Sequence, residues 1–169
     1  MTHDQKITDI QGFDRIFRLQ SQIVVERSIY SVWDALTRSD QVGQWWAEGQ
    51  IGNAEGEVFQ LGESAELSGV IVSRIKPYLF EFTWHENPEQ AAHPEWIEPS
   101  TKGRVRFDLV QLGRERTLVT MIQLAPAAGA IGAAAGWHQL LEALQAFLED
   151  HPSNPDVDRF EQLKKLYGA

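Results

Sequence analysis

The chain has 169 residues, of which 43% are hydrophobic, and its 24 acidic and 15 basic residues give a net charge of −9. This length suits a single domain, which buries about 70% of the surface of its unfolded chain. The absence of cysteine excludes disulfides, thiol nucleophiles and cysteine-ligated metal centres. Nucleic acid is not an expected partner, because binding to phosphates requires an excess of positive charge.

The hydropathy pattern predicts the compartment of the protein. Residues 1–6 lack the basic stretch followed by an apolar run that a secretory signal requires. No segment reaches the roughly 18 consecutive apolar residues that are typical of a membrane-spanning helix. The sequence therefore predicts a cytoplasmic protein that does not insert into a membrane.

The first predicted elements are one strand and two short helices. Residues 17–25 alternate between two faces of different polarity, which is typical of a half-buried strand. Apolar residues then recur at steps of three and four over residues 29–36, and Ser28 is placed to cap the N-terminus of a helix. Ser39 is placed to cap a second short helix, which carries Trp45.

Alternation with period two returns in the middle of the chain and predicts five further strands. They cover residues 57–61, 66–75, 78–84, 103–112 and 116–124. Most of the turns between them are short enough to join antiparallel neighbours. The exception is the proline-containing connection from His85 to Lys102, which we interpret as a functional loop and a candidate lid over a binding site.

Two helices are predicted at the C-terminal end. Over residues 131–150, apolar side chains recur at the spacing of one face of a long amphipathic helix. His138 lies beside that face, so we expect it to point to solvent or to a polar edge. A tail helix from residue 155 has an apolar edge, which we expect to dock on the same chain. Pairing of two chains as a homodimer through residues 155–167 is the alternative to a monomer.

The order of the predicted elements belongs to the α+β class. It predicts a strongly twisted antiparallel sheet of about six strands with the long C-terminal helix laid across it, and two short helices after the first strand. Residues 17–150 form this domain. Residues 1–16 are an N-terminal extension, and residues 151–169 are the tail helix.

Three sequence motifs point to a known superfamily. They are Val32-Trp33-Asp34-Ala35-Leu36-Thr37, the pair Trp45-Trp46, and Gly136-Trp137-His138-Gln139-Leu140-Leu141-Glu142-Ala143-Leu144. In this order they resemble the START-like helix-grip superfamily (SRPBCC, the birch-pollen-allergen-like fold), and most closely its branch of activator of heat-shock-protein ATPase homologues. The resemblance covers residues 17–149 and implies a curved sheet around the C-terminal helix, often with a cavity between them. The sequence departs from this branch at Ile29, where a proline often begins the first helix.

The aromatic residues supply a candidate binding site. Side chains from the strands, the second short helix and the long helix are placed to converge into a pocket for a small hydrophobic or aromatic molecule. The candidate lining is Trp45, Trp46, Phe59, Phe80, Phe82, Trp84, His85, Trp96, Phe107, Trp137 and Leu141. The alternative is ordinary core packing, which we expect for Trp33, Leu144 and Phe147. Because adjacent tryptophans cannot both point inward from one short element, we expect at least one of Trp45 and Trp46 at a loop or a cavity mouth.

The spacing of polar residues gives no support to metal binding, cofactor binding or catalysis. His85, Glu86, His93 and Glu95 lie in the long loop, but their spacing matches no common metal site. We expect His85 either as a single polar contact at the pocket mouth or as an exposed loop residue. The sequence lacks the Gly-x-Ser-x-Gly nucleophile motif and a phosphate-binding glycine loop. It therefore predicts no catalytic residue, no metal and no cofactor.

Three functions remain open. The first is binding of a small hydrophobic ligand, such as a lipid, in the cavity between the sheet and the long helix. The second is an enzyme of the cyclase or hydrolase kind found in the same superfamily, which would need a titrating group inside the cavity. The third is an interaction protein that resembles the chaperone ATPase activators. That resemblance implies a separate N-terminal domain, whereas 16 residues precede the first predicted strand, so this function ranks last.

Overall fold

The chain forms an antiparallel sheet and four helices within the residues that the structure describes. This computed structural model describes residues 5–13, 16–62, 67–83, 103–126, 130–151 and 157–168. The strands are β1 (Thr8–Phe13), β2 (Ile16–Val25), β3 (Gly49–Ile51), β4 (Val58–Leu61), β5 (Leu67–Ile75), β6 (Leu79–Thr83), β7 (Arg104–Gly113) and β8 (Arg116–Pro126). The helices are α1 (Ile29–Thr37), α2 (Ser39–Trp45), α3 (Ala130–Leu148) and α4 (Val157–Gly168).

The strand order brings the two ends of the domain together. The eight strands lie in the order β1-β2-β8-β7-β6-β5-β4-β3, and every neighbouring pair is antiparallel. β2 pairs with β8 along its whole length, so that Ile16 faces Pro126 and Val25 faces Thr117. The predicted α+β class is confirmed. The sheet has more strands than predicted, because β3 is additional and β1 lies inside the predicted N-terminal extension.

The helix boundaries follow from capping and from the spacing of apolar side chains. α1 begins at Ile29 as predicted, because the Ser28 side chain accepts a hydrogen bond from the Ser31 backbone N–H at 3.2 Å. This cap compensates for the missing proline at the start of the helix. Arg38 has an extended conformation and separates α1 from α2. α3 follows the predicted range of 131–150 closely at both ends.

The hydrophobic core lies between the inner face of the sheet and the helices α1 and α3. On β7, Phe107 and Leu109 point inward and are at most 3% exposed, because residues two apart in a strand share a face. α3 packs against β2 and brings Leu141 and Leu144 into the core, where both are fully buried. Trp33 is 1% exposed. Core packing is therefore confirmed for Trp33 and Leu144.

The tail helix α4 docks on the N-terminal half of α3 and beside β1. Leu163 is fully buried and Tyr167 is 6% exposed, and both pack in a small cluster with Ala134 and Ala135 of α3. Ile10 of β1 packs against the same cluster. The predicted docking on the same chain is confirmed. These contacts bury Leu163 and Tyr167 of the apolar edge of α4, while Phe160 and Leu166 of the same edge stay partly exposed.

His138 is buried, whereas the sequence predicts that it faces solvent or a polar edge. It is 5% exposed, and its Nδ1 atom lies 2.8 Å from the hydroxyl oxygen of Tyr167. The same oxygen accepts hydrogen bonds from the backbone N–H groups of Ile7 and Thr8 at 3.0 and 3.2 Å. The prediction is wrong because α4 covers this side of α3 and supplies a polar partner inside the protein.

Candidate ligand-binding groove

Aromatic rings from three strands, from α3 and from the residue after α2 meet between the sheet and α3. We refer to Trp46, Phe59, Phe80, Phe82, Phe107 and Trp137 as the aromatic cluster. The four phenylalanines come from β4, β6 and β7, and each is at most 1% exposed. The rings of Phe59 and Phe82 are stacked with their centroids 3.7 Å apart, and Phe80 lies 5.3 Å from Phe82. Contacts this close are those of a packed protein interior.

Trp137 of α3 closes the aromatic cluster from the helix side. Its ring lies 5.9 Å from Phe107 and 5.4 Å from Trp46, both in edge-to-face geometry. Its Nε1 atom donates a hydrogen bond to Oε1 of Gln123 at 2.8 Å, so that the amide satisfies a buried indole. Leu141, about one turn further along α3, is fully buried.

The two adjacent tryptophans lie in different environments, as the sequence predicts. Trp45 is 8% exposed, and its Nε1 atom donates a hydrogen bond to the carbonyl oxygen of Ala35 at 2.8 Å. Trp46 follows α2 and is half-buried, with its ring 5.4 Å from that of Trp45 and 6.0 Å from that of Phe59. Trp46 therefore belongs both to the aromatic cluster and to the surface beside α2.

The structure brings most of the predicted site residues into one hydrophobic core. Those in it are Trp45, Trp46, Phe59, Phe80, Phe82, Phe107, Trp137 and Leu141. The predicted site residues Trp84, His85 and Trp96 lie outside the described residues, as do Glu86, His93, Glu95 and the predicted lid. The described rings pack against one another, so a ligand among them would have to push the rings apart.

An open groove of about 510 Å³ lies beside the aromatic cluster, between α2 and α3. Its described lining is Gly43, Gln44, Trp45, Trp46, Gln139, Leu140, Glu142, Ala143, Phe147 and His151. Trp45 and Trp46 are the predicted site residues that lie in this lining. The groove itself was not predicted from the sequence.

One flank of α3 supplies the apolar floor of the groove. Leu140, Ala143 and Phe147 recur at steps of three and four residues, so they lie on one side of the helix. This spacing is visible in the sequence, where it merges with the stripe that faces the core. Phe147, which the sequence places in the core, packs partly against it and is half-buried, with part of its surface in the groove.

The carboxylate in the described lining of the groove is already paired. Glu142 accepts hydrogen bonds from Nη2 and Nε of Arg159 in α4, at 2.6 and 3.1 Å. The Arg159 side chain is 13% exposed, against 42% for the Glu142 side chain. Nε2 of His138 lies 3.9 Å from the same carboxylate. The other polar residues of the described lining are Gln44, Gln139 and His151.

Three further properties of the described residues concern metal binding, membrane insertion and the charges on the outer face of the sheet. In this part of the chain, no group of three or more histidine, cysteine, aspartate or glutamate side chains is placed to hold a metal ion. None of the described helices is long and apolar enough to cross a bilayer. On the outer face of the sheet, hydrogen bonding to the Asp108 carboxylate raises the pKa of the Arg106 guanidinium.

Several solved structures share this fold at low sequence identity. A conserved protein of unknown function from Enterococcus faecalis has a TM-score of 0.72 at 17% identity, with 95% of this chain and 87% of that chain covered. An HSP90 activator from Plasmodium falciparum has a TM-score of 0.64 at 14% identity, with 81% and 99% covered. The Aha1 dimer from Colwellia psychrerythraea has a TM-score of 0.59 at 18% identity, with 78% and 96% covered. These likenesses show the fold.

The sequence of the chain matches the model of one protein family. The model described as "Activator of Hsp90 ATPase homolog 1-like protein" matches residues 26–149, which is more than half of the chain. The matched residues include α1, α2 and α3, and with them the aromatic cluster. No curated protein matches the chain. The chain belongs to the family of activator of Hsp90 ATPase homolog 1-like proteins.

Proposed function

We propose that this chain binds a small hydrophobic or aromatic molecule in the groove between α2 and α3. The groove carries the proposal, since its volume of about 510 Å³ lies within the roughly 300 to 1,000 Å³ of small-molecule sites. Its floor is apolar and comes from Leu140, Ala143 and Phe147, while Gln44 adds an amide beside it. The described lining therefore combines an apolar floor with polar side chains, and small-molecule sites use both to hold and orient a ligand.

Trp46 favours the groove over the interior of the aromatic cluster as the place for the ligand. The stacking of Phe59 on Phe82 at 3.7 Å fills that interior. Trp46 contacts the cluster through Phe59 and Trp137, and it also lines the groove. A flat ligand in the groove can therefore stack on Trp46 while the core stays closed.

Substitutions that fill the groove test the proposal. Ala143→Trp places an indole on the groove floor, whereas Ala54→Trp adds the same side chain to the exposed loop between β3 and β4. The uncharged fluorescent probe N-phenyl-1-naphthylamine is titrated into each purified protein. We expect saturable binding to the unsubstituted protein and to Ala54→Trp. Binding to Ala143→Trp should be weaker by about tenfold or more, because the indole occupies the place of the probe.

A second groove variant keeps the test decisive if Ala143→Trp does not fold. Gly43→Leu fills the groove from α2, where a Cβ atom would meet the Glu48 side chain at an ordinary contact distance of 3.5 Å. It should weaken probe binding as Ala143→Trp does, while urea unfolding shows that the protein is folded. Undiminished binding in both groove variants would place the probe elsewhere. Failure of the unsubstituted protein to bind the probe saturably would also contradict the proposal.

Family membership favours a second candidate function, which is contact with an Hsp90-type chaperone. The family is described by homology to an activator of Hsp90 ATPase, and the Plasmodium falciparum structure is of an HSP90 activator. On this hypothesis, the purified chain raises the rate of ATP hydrolysis by an Hsp90. An unchanged rate at a saturating amount of the chain would exclude it. The enzyme alternative has less support, because Glu142, one of the two ionisable side chains of the described groove lining, is already paired with Arg159.

A further inference from the structure

The charge balance of the groove indicates what kind of ligand it takes. Glu142 supplies the carboxylate of the described lining, and Arg159 of α4 donates to both of its oxygens. A guanidinium that binds a carboxylate through two N–H groups forms a strong ion pair with a fixed geometry. The Arg159 side chain is 13% exposed, so its surroundings also hold it in place. The two residues together add no net charge to the groove.

A charged ligand would be at a disadvantage on this floor. Leu140, Ala143 and Phe147 offer no counter-charge, and a charged group that leaves water without one loses much of its hydration energy. The Glu142 carboxylate, which could otherwise attract a cation, is already occupied by Arg159. An amide such as that of Gln44 can form a hydrogen bond with a neutral hydroxyl or carbonyl group.

We infer that the groove selects uncharged ligands, such as aromatic alcohols, and that Arg159 is the positioning residue that sets this selectivity by neutralising Glu142. The inference rests on the proposed function of the groove and adds the chemical class of the ligand. It also gives the tail helix a part in the site, because Arg159 reaches Glu142 from α4.

Three probes with one aromatic skeleton and different charges test the inference. They are 2-naphthylmethanol, which is uncharged, 2-naphthylmethylamine, which is a cation, and 2-naphthoate, which is an anion. Binding is measured by calorimetry at pH 8, where imidazole groups in water are neutral. The unsubstituted protein should bind the alcohol most tightly. Arg159→Met should tighten binding of the amine by about three- to fivefold, which is the gain expected from a partly exposed ion pair with the released Glu142.

Two variants separate this charge effect from a change in structure. In the double variant Arg159→Met, Glu142→Gln, the gain for the amine should disappear, because the carboxylate responsible for it is gone. Arg106→Met is the matched control, since Arg106 makes a similar two-bond pair with Asp108 on the outer face of the sheet, at 2.9 and 3.0 Å. It should leave the binding of all three probes unchanged.

The possible results distinguish this inference from the proposed function beneath it. Preference of the unsubstituted protein for the amine or the naphthoate would overturn the selectivity for uncharged ligands. If Arg159→Met changes the affinity for all three probes equally, the role of Arg159 is purely structural. If it changes none of the affinities, Arg159 does not set the selectivity. If none of the probes binds the unsubstituted protein, the proposed function itself fails.

Discussion

At the scale of single residues, one hydroxyl group joins three elements. The Tyr167 oxygen accepts hydrogen bonds from the backbone N–H groups of Ile7 and Thr8, and it lies 2.8 Å from Nδ1 of His138. A hydroxyl oxygen has two lone pairs, and the two backbone donors occupy them. The hydroxyl hydrogen is then left for Nδ1 of His138, which accepts it in the tautomer that carries its own proton on Nε2. Nε2 lies 3.9 Å from the Glu142 carboxylate.

Tyr167→Phe tests how much this hydroxyl contributes to stability. The substitution keeps the ring but leaves the buried backbone N–H of Thr8 without its partner, which costs about 1–3 kcal/mol. We expect a loss of this size in urea unfolding, together with faster hydrogen exchange at Thr8. Tyr30→Phe is the matched control, because Tyr30 is 59% exposed on α1 and its change should stay within about 0.5 kcal/mol. Equal stability of the two variants would contradict the role of the Tyr167 hydroxyl.

At the scale of elements, the sequence predicts best those helices and strands whose own residues carry the cap or the apolar spacing that defines them. α1 has its own cap at Ser28 and its own apolar spacing, so it begins where predicted. The inward residues Phe80 and Phe82 of β6 follow from simple alternation. These signals arise from a few neighbouring residues, and the rest of the chain reinforces them.

Elements that depend on distant partners were missed. β1 offers little alternation, since Ile10 is an apolar residue among polar neighbours such as Asp9 and Gln11. It forms because β2 supplies backbone partners and because Tyr167, 160 residues from Ile7, binds the backbone just before the strand. The burial of His138 was missed for the same reason. Its side chain is covered by α4, which is distant in the sequence, and the spacing of residues within α3 does not reveal that cover.

The same distinction between local and distant causes applies to the candidate site. The aromatic cluster follows from residue type and strand alternation, and its members were predicted together. The groove is a space between α2 and α3, and a sequence does not specify the distance between two helices that packing elsewhere determines. The adjacent pair Trp45-Trp46 was the nearest signal in the sequence, since two neighbouring tryptophans on one short element cannot both point fully inward.

At the scale of the whole molecule, the sheet combines local and distant strand pairs. β7 and β8 are joined by the short turn at Arg114 and Glu115, so their pairing closes a small loop. Most of the domain lies between β2 and β8 in the sequence, so their pairing closes a long loop. Because closing a long loop costs entropy before its contacts form, the pairing of β2 with β8 should come late in folding.

Matched leucine substitutions in the two strand pairs test this order. Leu109 of β7 and Leu19 of β2 are at most 3% exposed, so replacing either with alanine should cost about 2–5 kcal/mol. A loss of that size is large enough to divide between the folding and unfolding rates. We expect Leu109→Ala to slow folding and Leu19→Ala mainly to speed unfolding, as measured by stopped-flow tryptophan fluorescence in urea. If Leu19→Ala slows folding as much as Leu109→Ala does, the distant pair forms as early as the hairpin, and the topology does not set the order.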